Sequence, residues 1–253
     1  MRKSLLDIGK ALLPAGVRSW LVAKQREHRL QWPRAGAVDF GQLRRLTPIS
    51  PVFGHDRGKA VDRHYIEAFL EQSRDAIHGR VLELGDATYT KRYGGDRVRH
   101  SDVLHVTAGN PEATIVADLT DAPHIPDDCF DCIVFTQSLQ MIFDYEAALR
   151  TLYRILKPGG VLLITSSGIS KIARRLGRDD WGEYWRFTTQ GMQGLLEKTF
   201  PGAAIEIQAW GNVLSATAYL HGLAAEELTR EELDALDPDF EVIVSALVRK
   251  AES

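Results

Sequence analysis

Two short stretches hold the residue types best suited to chemistry. FGHDRG sets His55, Asp56 and Arg57 in a row, and DDWGEYWRFT gathers Trp181, Tyr184, Trp185 and Arg186. An imidazole titrates near neutral pH and can take a proton from a reacting hydroxyl, so His55, with Asp56 beside it, is the first choice of general base. His64 and His221 are further candidates, and each of these imidazoles reads more readily as an ordinary surface or structural residue than as a base. The indole and phenol rings offer flat apolar faces, and the Arg186 guanidinium offers a planar fork for hydroxyl, carboxylate or phosphate oxygens. Such a mixture suits a sugar. The plainer reading is aromatic packing under a loop, which weighs most for Trp185. Arg57 and Arg63 could hold an anionic acceptor such as a phosphate or uronate, although surface ion pairs explain them as readily.

Other patterns point away from alternative chemistries. Cys129 and Cys132 imitate a C-x-x-C, but no other cysteine exists to complete a zinc set, and Cys132 falls in an expected buried strand. No tight group of His and carboxylate ligands stands at helical spacing, so no metal is expected. The glycines do not form G-x-G-x-x-G, which weighs against a nicotinamide enzyme.

The elements that must position these residues alternate between strand and helix. Residues 59–77 carry Tyr65, Ile66, Phe69, Leu70 and Ile77 on one helical face. RVLELG then reads as a buried strand, followed by strands at 102–106, 114–119, 131–136 and 160–165. A helix from Tyr145 to Leu156 leads into Lys157-Pro158-Gly159-Gly160, where Lys suits the helix dipole and Pro with Gly ends the helix. A helix near 189–199 precedes the strand AIEIQAW, and EVIVSALVRK closes the sequence. The expected fold is α/β: a doubly wound, mostly parallel seven-stranded sheet with helices on both faces and an antiparallel last strand. The expected division is a basic N-terminal helix and lid-like loop over 1–58, then one domain over 59–253.

The run from Asp118 to Thr165 resembles the class I S-adenosylmethionine-dependent methyltransferases. It holds an Asp after the third strand, a Pro-containing turn, Phe130-Asp131 opening the fourth strand, a helix, and R-x-L-K-P-G-G into the fifth. More narrowly, VLELGD, YWRFT and GNVLSATAYLHGLAAEEL are similar to segments of bacterial methyltransferases associated with glycosyltransferases. The resemblance implies S-adenosylmethionine as cofactor, a sugar or small-molecule hydroxyl as acceptor, and a glycosyltransferase as partner. It implies that Gly85 lets the backbone approach the methionine part, Glu83 helps hold its ammonium group, and Asp118 with Leu119 borders the adenine. Asp86, His105 and Gln137 complete the expected cofactor set. Strand tips at an order reversal are also where open parallel sheets bind ligands. The sequence departs from the family's E-x-G-x-G-x-G, with Ala87 and Tyr89 at the second and third glycines. His105 stands near the position of the usual ribose-binding acid, and TAGNPEA is too short for the usual helix.

With 253 residues, 44% hydrophobic and 26% charged, the sequence suits one large globular domain. Two cysteines and no long apolar run make a reducing, cytoplasmic setting the default. Residues 1–34 hold eight Lys/Arg against two Asp/Glu. That excess could attract a membrane surface, a nucleic acid or an acidic partner. Leu5, Ile8 and Leu12 suit an interfacial helix, but Trp20, Leu21 and Val22 look like packing residues, which favours a solvated helix capping the domain. No nucleic acid is expected as a partner, and at most peripheral membrane contact through residues 1–30.

Overall fold

In the computed structural model, the described residues are 13–28, 33–173 and 182–252. The chain divides into two compact units, Met1–Leu46 and Thr47–Ser253. The first holds helix α1 (Ala15–Glu27) and a 3-10 turn over Gly41–Leu43. Leu5, Ile8 and Leu12 lie outside the described residues. Trp20 and Val22, expected to pack, are exposed.

The second unit opens with a segment that is firmly held rather than lid-like. The Ile49 and Ser50 amides donate to the His221 carbonyl at 2.8 and 3.1 Å, and the Ala225 amide donates to Lys59 O at 2.7 Å. The expected boundary at 58 therefore falls inside a docked segment. Helix α2 (Val61–Gln72) follows and buries Val61, Tyr65, Ile66, Phe69 and Leu70. Strands β1 (Gly79–Leu84), β2 (Val98–His105), β3 (Ile115–Val116), β4 (Phe130–Thr136) and β5 (Leu156–Ser167) run parallel. Helix α3 (Tyr145–Ile155) joins β4 to β5, and α4 (Thr189–Thr199) precedes β6 (Ala204–Trp210). Helices α5 (Val213–His221) and α6 (Arg230–Asp234) lead to β7 (Ile243–Arg249), which is antiparallel to both β5 and β6. The sheet order is β3-β2-β1-β4-β5-β7-β6.

Strand side chains alternate between two cores, as the pleat requires. Leu82, Ile133, Phe135, Leu162 and Ile164 pack with α3 and α4, while Val81, Cys132, Val134, Val161 and Leu163 pack with α2 and α5. Asp144 caps α3 by accepting from the Ala147 amide at 3.0 Å, and Ala148, Leu149, Leu152 and Ile155 form its buried stripe. The helix stops at Ile155 because Leu156 is already extended and paired with Phe130. Lys157 is not placed for the helix dipole. Its ammonium bonds Asp131 Oδ1 at 2.7 Å, and Asp131 Oδ2 accepts from the Arg80 amide at 2.7 Å, so this carboxylate ties β1, β4 and β5 together. Burial pushes the Asp131 carboxyl up, but these donors outweigh it and hold it below the ordinary aspartate value.

The sheet's first half is thinly covered. Between β1 and β2 lie a wide turn over Thr90–Gly94 and a 3-10 turn over Gly95–Arg97, and no helix lies between β2 and β3. β2 starts earlier than expected, and buried Asp102 within it accepts from Arg80 Nε at 2.7 Å and Thr114 Oγ1 at 2.9 Å. β3 shrinks to two residues because only Leu104 and His105 pair with it before the chain turns at Asp118. Among the described residues no helix is long and apolar enough to cross a membrane.

Candidate active site

The strand order reverses between β1 and β4, and beyond the carboxyl ends of strands at such a reversal is where open parallel sheets bind ligands. Glu83 sits one residue before the end of β1, 2% exposed. Its Oε1 accepts from the Tyr89 amide at 3.1 Å and its Oε2 from the Thr90 amide at 2.7 Å. Burial pushes this carboxyl above the ordinary glutamate value, and the two amides only partly offset the effect. Glu83 therefore shapes the loop that follows the strand. Exposed Gly85 takes φ +86°, which residues with a Cβ avoid, and a Cβ placed there would meet nothing within 4 Å. Its carbonyl accepts from the Asn110 amide group, which occupies the place of the missing helix. Exposed Asp86 closes a tight turn by accepting from the Thr88 amide at 2.8 Å.

Tyr89 stands where the third glycine was expected. Its ring packs into the α2-side core, 6.1 Å from Tyr93, and its hydroxyl accepts from Arg63 Nη1 at 3.0 Å. The ring is thus drawn toward α2, and the space beyond the Gly85 backbone stays open. On this observation the residues at the tips fit a nucleoside cofactor despite the altered glycines.

The neighbouring tips carry the remaining expected residues. His105, half-buried at the end of β2, has Nδ1 2.9 Å from the Thr107 carbonyl. Asp118 is exposed, and Oδ1 takes both the Thr120 amide at 2.9 Å and the Thr120 hydroxyl at 2.8 Å, leaving Oδ2 to another donor. The Leu119 side chain is buried in the α3-side core, so only its backbone is left for a ligand. Gln137, just beyond β4, has φ +50°, a strained conformation for a side-chain-bearing residue. Its Oε1 accepts from Gln140 Nε2 at 2.9 Å and Ser167 Oγ at 2.7 Å, joining the tips of β4 and β5.

The expected acceptor residues do not converge. His55 and Asp56 are exposed, and Asp56 Oδ1 accepts from the buried Ser50 hydroxyl at 2.5 Å. The Arg57 fork bonds both oxygens of Glu227, at 2.8 and 2.5 Å, and this bond first, with the Ala224 amide, pulls the Glu227 carboxyl down to about 2. The FGHDRG stretch thereby holds the 47–60 segment onto the turn after α5. Trp181 lies outside the described residues. The Trp185 indole N–H donates to the Ile142 and Phe143 carbonyls at 3.1 and 3.2 Å, and its ring backs onto the core. Arg186 pairs with Glu183 at 2.7 Å and donates to the Lys171 carbonyl at 2.9 Å. It also lines a groove of about 640 Å³ with Gly168, Thr188 and Asp239.

Two features were not singled out from the sequence. Phe143, 68% exposed, meets the half-exposed Tyr184 edge to face at 5.3 Å on the loop leaving β4. An exposed Phe in a loop carries no pattern that would mark it. Buried Tyr219 of α5 packs against Phe53 with ring centroids 5.7 Å apart, burial pushing its phenol up, while Lys171 Nζ lies 3.5 Å above the same Phe53 ring. These residues are far apart in sequence and meet only through folding.

The sheet order, the two-sided helical cover and the open turn after β1 define the Rossmann-like fold of class I methyltransferases. Residues 86–164 match the Methyltransferase domain family, Methyltransf_11. With the sheet order, this match supports a class I S-adenosylmethionine-dependent methyltransferase and S-adenosylmethionine as its cofactor. The ubiquinone/menaquinone biosynthesis C-methyltransferase UbiE of Enterobacter sp. (strain 638) is 40% identical over 86 residues, which are 34% of this chain and 32% of that protein. The UbiE of Escherichia coli O1:K1 / APEC is 38% identical over 73 residues, 29% of this chain and 27% of that protein. The chain thus spans about a third of the length of the curated relatives it matches. In structure, the [4+2]-cyclase SpnF superposes with a TM-score of 0.50 at 20% identity, covering 78% of this chain and 84% of that one. A cyclase on this sheet is a reminder that the fold alone carries no chemistry.

Proposed function

We propose that this chain transfers a methyl group from S-adenosylmethionine to a hydroxyl of a sugar or glycosylated small molecule. The methyltransfer reading rests on the match over residues 86–164 lying on strand tips whose Gly85 turn is open. When bound, the cofactor supplies a sulfonium-activated methyl group, so the protein has mainly to align the acceptor and exclude water. Gly85 allows backbone approach to the methionine part, and Asp118 Oδ2 accepts from the nucleoside. Arg63, held on Tyr89 beside the same loop, supplies a cation on the side of the methionine carboxylate. The exposed Phe143–Tyr184 pair offers the sugar a flat apolar face on the loop leaving β4.

Removing a charge-assisted hydrogen bond at Asp118 costs about 1.5–3 kcal/mol, so Asp118→Ala should weaken cofactor binding by roughly tenfold or more. Calorimetric titration measures this, and unchanged affinity removes the assignment of Asp118. Absence of any binding by the folded native chain would instead favour a non-catalytic module that serves a partner such as a glycosyltransferase. The UbiE relatives favour a second reading, methylation of carbon. Product analysis by NMR separates O-methyl from C-methyl products.

A further inference from the structure

The Met1–Leu46 unit carries ten Lys/Arg against three Asp/Glu, a net +7, whereas the Thr47–Ser253 unit carries −10. The small unit also leaves apolar side chains in water. Trp20 is 60% exposed and Phe40 54%, with Val17, Val22 and Val38 near 40% and Leu46 fully exposed. On α1 the row Val17, Trp20, Leu21, Lys24 recurs at three- and four-residue spacing, while Arg18, Val22 and Arg26 share another face of the helix. The Arg44 guanidinium lies over the Phe40 ring, 5.3 Å from its centroid, next to Arg45. Basic and apolar groups are therefore interleaved on one unit, and Trp20 and Phe40 are not sequestered in a core.

Three partners could meet a positive surface, and the apolar members decide between them. A phosphodiester backbone attracts the arginines and could stack on Trp20 or Phe40, but offers nothing to Val17, Val22, Val38 and Leu46. An acidic protein partner would need a matching apolar patch for each of these aliphatics, which are spread along the chain from Val17 to Leu46. An anionic bilayer needs no matched patch: acyl chains take the aliphatics on the face turned to it, such as Val17, the interface takes the Trp20 indole, and headgroups take the guanidiniums. We propose that the described residues of this unit, in α1 and over 33–46, form a docking surface for anionic phospholipid membrane that lies on the bilayer without crossing it. This stands apart from the methyltransfer reading, and either can fail alone.

The test uses the full chain and two vesicle preparations, phosphatidylcholine alone and phosphatidylcholine mixed with phosphatidylserine, read by co-sedimentation. Binding to the anionic vesicles, weakened by salt and much lower on neutral vesicles, is expected. Each basic residue near an anionic surface contributes about a factor of five, so R44E with R45E should lower binding by at least roughly tenfold. W20S with F40S should lower it on anionic vesicles too, through lost apolar insertion, while leaving cofactor binding and thermal unfolding as in the native chain. Native-level vesicle binding by either double variant overturns the proposal. So does failure of the native chain to sediment with anionic vesicles, or tighter retention on a single-stranded RNA oligonucleotide than on them.

Discussion

Glu83 is ionisable, buried and bonded through both oxygens to backbone amides of the loop it supports. Its carboxyl is raised above the ordinary value by burial, so the folded protein holds this proton to a higher pH than the unfolded chain does. From the unfolded glutamate value up to the raised one, the folded state binds more protons, and this group's contribution to stability falls as pH rises. Glu83→Gln carries no charge at any pH. Urea unfolding across that window should show a flatter dependence on pH in the variant, at the cost of about 1–3 kcal/mol for the amide left without an acceptor. A parallel pH dependence in both proteins would mean that Glu83 is not the raised group. Its place in a buried strand before a glycine turn was legible in VLELGD. That both its oxygens are taken by the loop was not, because the bonds arise from how residues 85–90 fold back.

The loop from Pro33 to Gly58 reads as lid-like because Pro and Gly punctuate it, yet its part from Thr47 onward is fastened to the turn after α5. Gly54 takes φ +86°, and a Cβ there would come within 2.7 Å of the Leu223 carbonyl. Gly54→Ala should therefore destabilise the segment by about 1–3 kcal/mol, detected as faster hydrogen exchange at the Ile49 and Ser50 amides. Unaltered exchange there would show that the close approach does not hold the segment. The sequence could not reveal this docking, since its partners lie some 170 positions later, as in the Arg57–Glu227 pair. Elements with a strong internal period were read closely. The expected helix near 189–199 is Thr189–Thr199, and the strand AIEIQAW is β6. The short edge strand β3 was overextended, because its length is set by its neighbour's register rather than by its own residues.

Across the whole molecule, one sheet with a core on each face couples the strand tips to global stability. A ligand bound only by the folded state adds about 2.7 kcal/mol when present at a hundred times its Kd. Saturating S-adenosylmethionine should accordingly raise the unfolding free energy of the native chain by that amount, and by less for Asp118→Ala at the same concentration. Thermal or urea unfolding with and without the compound provides the measurement, and no shift at saturation would argue against a preformed site.

The spacing of apolar residues determined the strands, the helices and the sheet class, because these follow from local periodicity and backbone sterics. Only the tertiary structure decided that Tyr89 turns toward Arg63, that Arg186 is taken up by Glu183, and that Trp20 faces water. Those outcomes depend on which partner lies within a few ångströms, and a linear sequence does not carry that distance.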